Sequence, residues 1–88
     1  MTHEMPVEGV LDLHTFAARD VTSVVDEYVR VAAGKGLSEV RLIHGRGIGR
    51  QRAAVHRVLA THPDVLSYYD ASESHLGATV ATLRSSRG

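Results

Sequence analysis

The sequence predicts a two-layer α/β sandwich in the order βαβαββ, with two helices on one face of a four-stranded mixed sheet. Three observations predict it. Apolar residues alternate with a period of two in four short stretches and recur with a helical period in two longer ones. Each helical stretch follows a strand, which makes two βα units and a parallel relation between the first two strands through right-handed crossovers. The last two strands are separated only by a short polar run, close enough to pair as a hairpin. Two helices do not cover both faces of four strands, so one face of the sheet is expected to stay partly open.

Residues 1–9 carry no periodic pattern and are punctuated by Pro6 and Gly9, so they read as a flexible arm. Residues 10–14, Val-Leu-Asp-Leu-His, alternate as a short strand, with Leu11 and Leu13 toward the core and Asp12 and His14 on the other side. A helix is expected over residues 20–35, with Asp20 as N-cap and Val21, Val24, Val25, Tyr28 and Ala32 as its apolar stripe. Gly34 and Gly36 are its natural stops. Residues 39–44 form the second strand, broken by Gly45, Gly47 and Gly49. The second helix runs over residues 50–61, burying Ala54, Val55, Val58 and Leu59, and ends because His62 precedes Pro63. Residues 65–70 and 78–83 are the last two strands, on either side of Ser72-Glu73-Ser74-His75. The domain thus spans residues 10–84, with a flexible tail at 85–88.

Composition narrows the chemistry. A chain of 88 residues with 43% hydrophobic content supplies one core without metal or disulfide support. It has no cysteine, which excludes thiolate nucleophiles and Cys-ligated zinc. His3, His62 and His75 show no paired spacing that would make a histidine metal site. The start resembles no signal peptide and no apolar run is long enough to span a membrane, so a monomeric cytoplasmic protein without a membrane partner is expected. Formal charge is zero, which argues against bulk electrostatic attraction. Its distribution is uneven, however. Arg41, Arg46, Arg50, Arg52 and Arg57, five of the ten basic residues, fall in one stretch that contains no Asp or Glu. Either the fold supplies acidic neighbours to them or they meet phosphate, which the planar guanidinium suits.

Parallel strands carry their C-terminal ends to one edge of a sheet, where α/β folds tend to place ligands. That brings Asp12 and His14 next to His44 and Arg46, segments about 30 residues apart. Gly45, Gly47 and Gly49 then have two readings: a tight turn, or a loop whose backbone approaches an anion at a helix N-terminus. No Gly-Lys-Ser/Thr follows, so the loop is not a Walker A motif and no nucleotide cofactor is expected.

Leu11-Asp12-Leu13-His14 resembles the LDLH motif of the Smr (small MutS-related) family. Ile43-His44-Gly45-Arg46-Gly47-Ile48-Gly49 is similar to that family's second motif, and Gly77-Ala78-Thr79-Val80 to its closing glycine and strand. The resemblance covers roughly residues 8–84. Thr15 stands where the family usually has Gly, and Ser74-His75-Leu76-Gly77 where it often has Gly-Gly-x-Gly. The resemblance implies a fold similar to the C-terminal domain of translation initiation factor three. It also implies nicking of DNA or endonucleolytic cleavage of RNA, including on ribosomes, so nucleic acid and the ribosome are the partners it suggests.

On this reading His14 is the general base, Asp12 orients an imidazole or holds a divalent cation, and Arg46 with the loop amides stabilises charge on phosphate. His44 either protonates the leaving oxygen or fixes the loop. Gly45, Gly47, Gly49, Arg50, Arg52 and Arg57 are the nucleic-acid-binding positions. The alternatives are a non-catalytic module binding structured RNA or branched DNA, and an adaptor that uses the open sheet face through Tyr68 or Tyr69.

Overall fold

A computed structural model describes residues 9–45, 49–71 and 77–84. Its elements run β1 (Val10–Asp12), α1 (Ala18–Gly34), β2 (Glu39–Ile43), α2 (Arg50–Thr61), β3 (Val65–Asp70) and β4 (Ala78–Leu83), the expected order. The strands lie side by side as β1-β2-β4-β3. β1 and β2 are parallel, with Leu11 opposite Leu42, while β4 runs antiparallel to both β2 and β3. It follows that β3 points the same way as β1 and β2, with β4 inserted between. A register shift between Val65 and Ser67 lets β3 bulge at its start.

Register sorts the side chains into two faces. Val40 and Leu42 of β2 and Ala81 and Leu83 of β4 join Leu13 and the buried sides of both helices in one core. Leu13, Leu42 and Leu59 are wholly or almost wholly buried, and burial of such a side chain contributes about 1.5–3 kcal/mol. The opposite face carries a smaller cluster of Ala71, Ala78 and Val80 with Ile43 against it. Tyr68 packs on the helix side, whereas Tyr69 is 55% exposed on the other, so the two tyrosines do part across the sheet.

Three boundaries differ from the sequence reading, for local reasons. α1 begins at Ala18, and its N-cap is Ala17 without a side-chain bond, so Asp20 is no cap. Asp20 sits in the first turn, where a carboxylate complements the helix dipole. The buried stripe is Val21, Val25, Val29, Ala32 and Ala33, with Val24 and Tyr28 at its margin. The helix ends in a Schellman motif: Gly36, with φ 85°, donates its N–H to Ala33 O, and Leu37 donates to Ala32 O. β1 stops at Asp12 and β2 at Ile43, one or two residues short of expectation. α2 ends as predicted, with His62 extended before Pro63. The buried His62 accepts the Asp64 N–H at Nδ1 (3.0 Å), and its Nε2–H faces the Asp26 carbonyl of α1 (3.3 Å). It is a joint between the helices. No helix among the described residues is long and apolar enough to cross a membrane.

Candidate functional site

One edge of the sheet gathers the C-terminal ends of β1, β2 and β3 and the start of β4, because the first three strands are parallel in direction. The β1–β2 ladder continues one step past β1, through Leu13 N–H to Ile43 O at 2.7 Å, which holds the two turns side by side. His14 and His44 line the same cavity of ≈ 360 Å³, together with Gly45, Gly49, Arg50, Gln51 and Arg52. The expected meeting of the first and second strand ends is therefore present. Arg46 and Gly47, and the Ser74-His75-Leu76 segment, lie outside the described residues.

Asp12 shapes the first turn. Its Oδ1 accepts the backbone N–H of His14 at 3.0 Å and lies 2.6 Å from His14 Nδ1. Aspartate bonded to the N–H two residues on closes a local turn that competes with the strand ladder, which is why β1 ends there. A carboxylate only accepts, so Nδ1 carries the hydrogen, and in the neutral ring the free lone pair is on Nε2. The His14 backbone N–H, and after it the His14 ring, hold the Asp12 carboxyl below the ordinary carboxylate range. Both side chains remain well exposed, at 48% for Asp12 and 63% for His14.

The start of α2 faces the same space. Its N-cap is Gly49, with φ 88°, no side-chain cap and no acidic residue in the first turn. The first helical bond is Ala53 N–H to Gly49 O at 2.9 Å, so the N–H groups of Arg50, Gln51 and Arg52 have no intrahelical acceptor. The Gln51 side chain reaches across and donates to Phe16 O at 2.6 Å, joining this helix to the β1–α1 turn. An uncapped helix start with Arg50 at its first position favours an anion.

His44 lies differently. It is 6% exposed. Its Nδ1 is 3.0 Å from Gly45 O and its Nε2 2.9 Å from the Thr79 hydroxyl. The backbone N–H groups of His44 and Gly45 both donate to Gly77 O, at 3.0 and 3.1 Å. The Gly45 amide is thus engaged in holding the loop.

Of the arginines, Arg52 has its charge matched within the fold: its Nε and Nη2 bond Asp70 Oδ2 at 3.1 and 2.5 Å. The other carboxylate oxygen, Oδ1, meets His56 Nε2 at 3.0 Å and the Thr79 hydroxyl at 3.1 Å. The Arg52 hydrogen bond first, and then those from Thr79 and His56, lower the Asp70 pKa to about 2. His56 also packs edge-on against Tyr68, with ring centroids 5.0 Å apart. Arg57 is exposed, two turns along α2 from Arg50 on the same side. Arg41 sits in β2 on the face away from the helices, opposite Val80. Asp70, Thr79, His56 and Gln51 were not legible as site residues. The one available signal was Thr79, a polar residue at an inward position of β4 in step with Ala81 and Leu83. Among the described residues no group of three or more His, Cys, Asp or Glu side chains is arranged to hold a metal ion.

Comparison with known proteins places this geometry. The family model for the Smr domain matches residues 11–84. Endonuclease MutS2 of Pelotomaculum thermopropionicum is 43% identical over 75 residues, which is 83% of this chain and 10% of that protein. Endonuclease MutS2 of Clostridium novyi is 38% identical over 76 residues, 84% of this chain and 10% of that protein. The chain therefore spans about a tenth of the length of these curated relatives. The crystal structure of the Smr domain of Thermus thermophilus MutS2 superposes with a TM-score of 0.80 at 33% identity, covering 88% of this chain and 99% of that one. With the motifs, the fold and the matched length in agreement, the chain belongs to the Smr domain family.

Proposed function

We propose that this domain binds nucleic acid in the cleft at the start of α2 and cleaves a phosphodiester bond there. The observation that carries the reading is the Asp12–His14 pair beside an uncapped helix N-terminus: an oriented imidazole and an anion site line one cavity. The names of the MutS2 relatives, which call them endonucleases, agree with it. Asp12 holds His14 with Nδ1 protonated, so Nε2 is the basic atom. Arg50 and the first amides of α2 bind the non-bridging phosphate oxygens and stabilise charge that builds on them. RNA brings its own nucleophile. His14 removes the 2′-hydroxyl proton, the 2′-oxygen attacks phosphorus, the P–O5′ bond breaks, the 5′-oxygen takes a proton from water, and the hydroxide left takes the proton held by His14. Products are a 2′,3′-cyclic phosphate and a 5′-hydroxyl. His44 has both ring nitrogens facing protein groups, which favours its loop-fixing role over leaving-group acid.

The test is product mapping on labelled RNA and DNA, with and without EDTA, for the wild type and Asp12→Ala/His14→Ala. Cyclic phosphate ends on RNA that survive EDTA support the scheme. A 5′-phosphate product abolished by EDTA transfers the chemistry to water and a cation, with Asp12 as its carboxylate ligand. Binding without cleavage in either protein leaves a binding module.

A further inference from the structure

The partners of the His44 ring dictate where its protons can sit. Nδ1 faces the Gly45 carbonyl at 3.0 Å, a group that only accepts, so Nδ1 carries a hydrogen. Nε2 faces the Thr79 hydroxyl at 2.9 Å. That hydroxyl has one hydrogen to give, and two further neighbours: His56 Nε2 at 3.1 Å and Asp70 Oδ1 at 3.1 Å. Ionised Asp70 only accepts. Two arrangements satisfy the whole set. In one, Thr79 donates to Asp70 and His44 Nε2–H donates to Thr79, so His44 is an imidazolium with both hydrogens used. In the other, Thr79 turns its hydrogen to His44 Nε2, and His56 Nε2–H serves the Asp70 oxygen, leaving His44 neutral. Loss or gain of the Nε2 proton together with rotation of one buried hydroxyl interconverts them without moving a heavy atom, and Nδ1 stays protonated throughout.

We propose that Thr79 and Asp70 are positioning residues for the cleft, which hold the His44 ring with Nδ1–H bonded to Gly45 and so set the shape of the cleft floor. The proposal rests on the reading of the cleft as the phosphate site. His44, Gly45 and Gly49 line both the ≈ 360 Å³ cavity beside His14 and an adjoining one of ≈ 260 Å³ bounded by Asp70 and Gly77. The ring is thus the floor between the two, and a ring that turns disturbs both. Thr79 is wholly buried and Asp70 is itself tethered by Arg52, so the chain from α2 through β3 and β4 to the β2 loop is continuous. Without it, the Nε2 side of the buried ring has no partner and the ring is held through Gly45 alone.

The experiment uses the full chain with ¹⁵N-labelled histidine and long-range ¹H–¹⁵N correlation, with His44 signals identified by their loss in His44→Gln. In the wild type, His44 Nδ1 should resonate as a protonated nitrogen. Thr79→Val removes the hydroxyl at nearly constant shape and should move the Nε2 signal to that of an unprotonated nitrogen without a partner, Nδ1 staying protonated; Thr79→Ser should restore the wild-type pattern. Asp70→Asn, at the exposed rim, should move His44 Nε2 toward its unprotonated position, and it serves as the second variant if Thr79→Val does not fold. Affinity for a single-stranded RNA oligonucleotide should fall roughly three- to tenfold in Thr79→Val, the effect of one lost hydrogen bond, and recover in Thr79→Ser. An unprotonated Nδ1 in the wild type, or His44 signals indifferent to both Thr79→Val and Asp70→Asn, overturns the proposal. Signals that respond as expected in a protein that binds neither RNA nor DNA uphold the positioning and remove the nucleic-acid reading instead.

Discussion

Gly49 is where backbone geometry and the candidate site meet, and substitution there separates the two contributions. Its φ of 88° and ψ of 5° lie in the left-handed region, and it is the N-cap of α2. A Cβ built on it meets nothing within 4 Å, so Gly49→Ala is penalised by its own backbone and not by crowding. A non-glycine residue in this conformation costs about 1–2 kcal/mol. For a domain of this size each kcal/mol moves the thermal midpoint by about 4–8 °C, so the expected drop is roughly 5–15 °C. Asparagine tolerates the left-handed region and is also a good N-cap. Gly49→Asn should therefore keep most of the stability, yet its side-chain oxygen accepts one of the amides the anion would use. The assay is thermal unfolding by circular dichroism, alongside titration with an RNA oligonucleotide. Gly49→Ala should lose stability and binding together, whereas Gly49→Asn should lose binding more than stability. A Gly49→Ala midpoint equal to wild type refutes the strain; full RNA affinity in Gly49→Asn refutes the role of the helix amides.

Asp12→Ala should leave the thermal midpoint nearly unchanged, since the pair is exposed, while the cleavage rate falls about 10²–10⁴-fold through loss of the oriented base; single-turnover kinetics on RNA measure it. Arg50→Ala should reduce the slope of log K against log salt by about 0.7 on single-stranded RNA, the value of one phosphate contact. Arg52→Ala should reduce it less, because its guanidinium already faces Asp70, and the comparison is read from binding isotherms at four salt concentrations. The Arg52 guanidinium holds the Asp70 carboxyl pKa at about 2, below the ordinary value of 3.8. The stability it contributes is thus present above about pH 4 and lost as pH falls toward about 2. Asp70→Asn should flatten that acid limb in denaturant titrations, and an unchanged limb would contradict the Arg52–Asp70–His56 contacts.

The fold was legible because each element announces itself by periodicity: α2, β3 and β4 begin and end where hydrophobic spacing and Pro63 put them. Boundaries failed where a side chain intervened in the backbone. Asp20 has the chemistry of a cap but lies inside the first turn, and the strand at Leu11 ends early because Asp12 captures the N–H of His14. The pairing of the first two strand ends was foreseeable from two parallel βα units. The Asp70–Thr79 side of the cleft was not. β3 reads as half of a hairpin, and only the insertion of β4 between β2 and β3 turns its C-terminal end toward the same edge. Strand order is a property of the whole sheet, whereas motif spacing is local.

The same topology decides what the arginine-rich stretch can do. In sequence the five residues form one unopposed block; in space the strand and the helix distribute the four that are described. Arg41 goes to the face of the sheet away from the helices, Arg50 to the cleft, Arg52 to Asp70, and Arg57 two turns along α2. The acid missing from the stretch is supplied by β3, so neither sequence reading of the block holds for all of its members. A protein with zero formal charge and so dispersed a set of cations cannot rely on long-range attraction. On the proposed reading, its affinity comes from a few placed contacts at the start of α2. That makes the orientation of the cleft floor, and hence the hydroxyl of Thr79 behind it, matter more than the number of arginines in front.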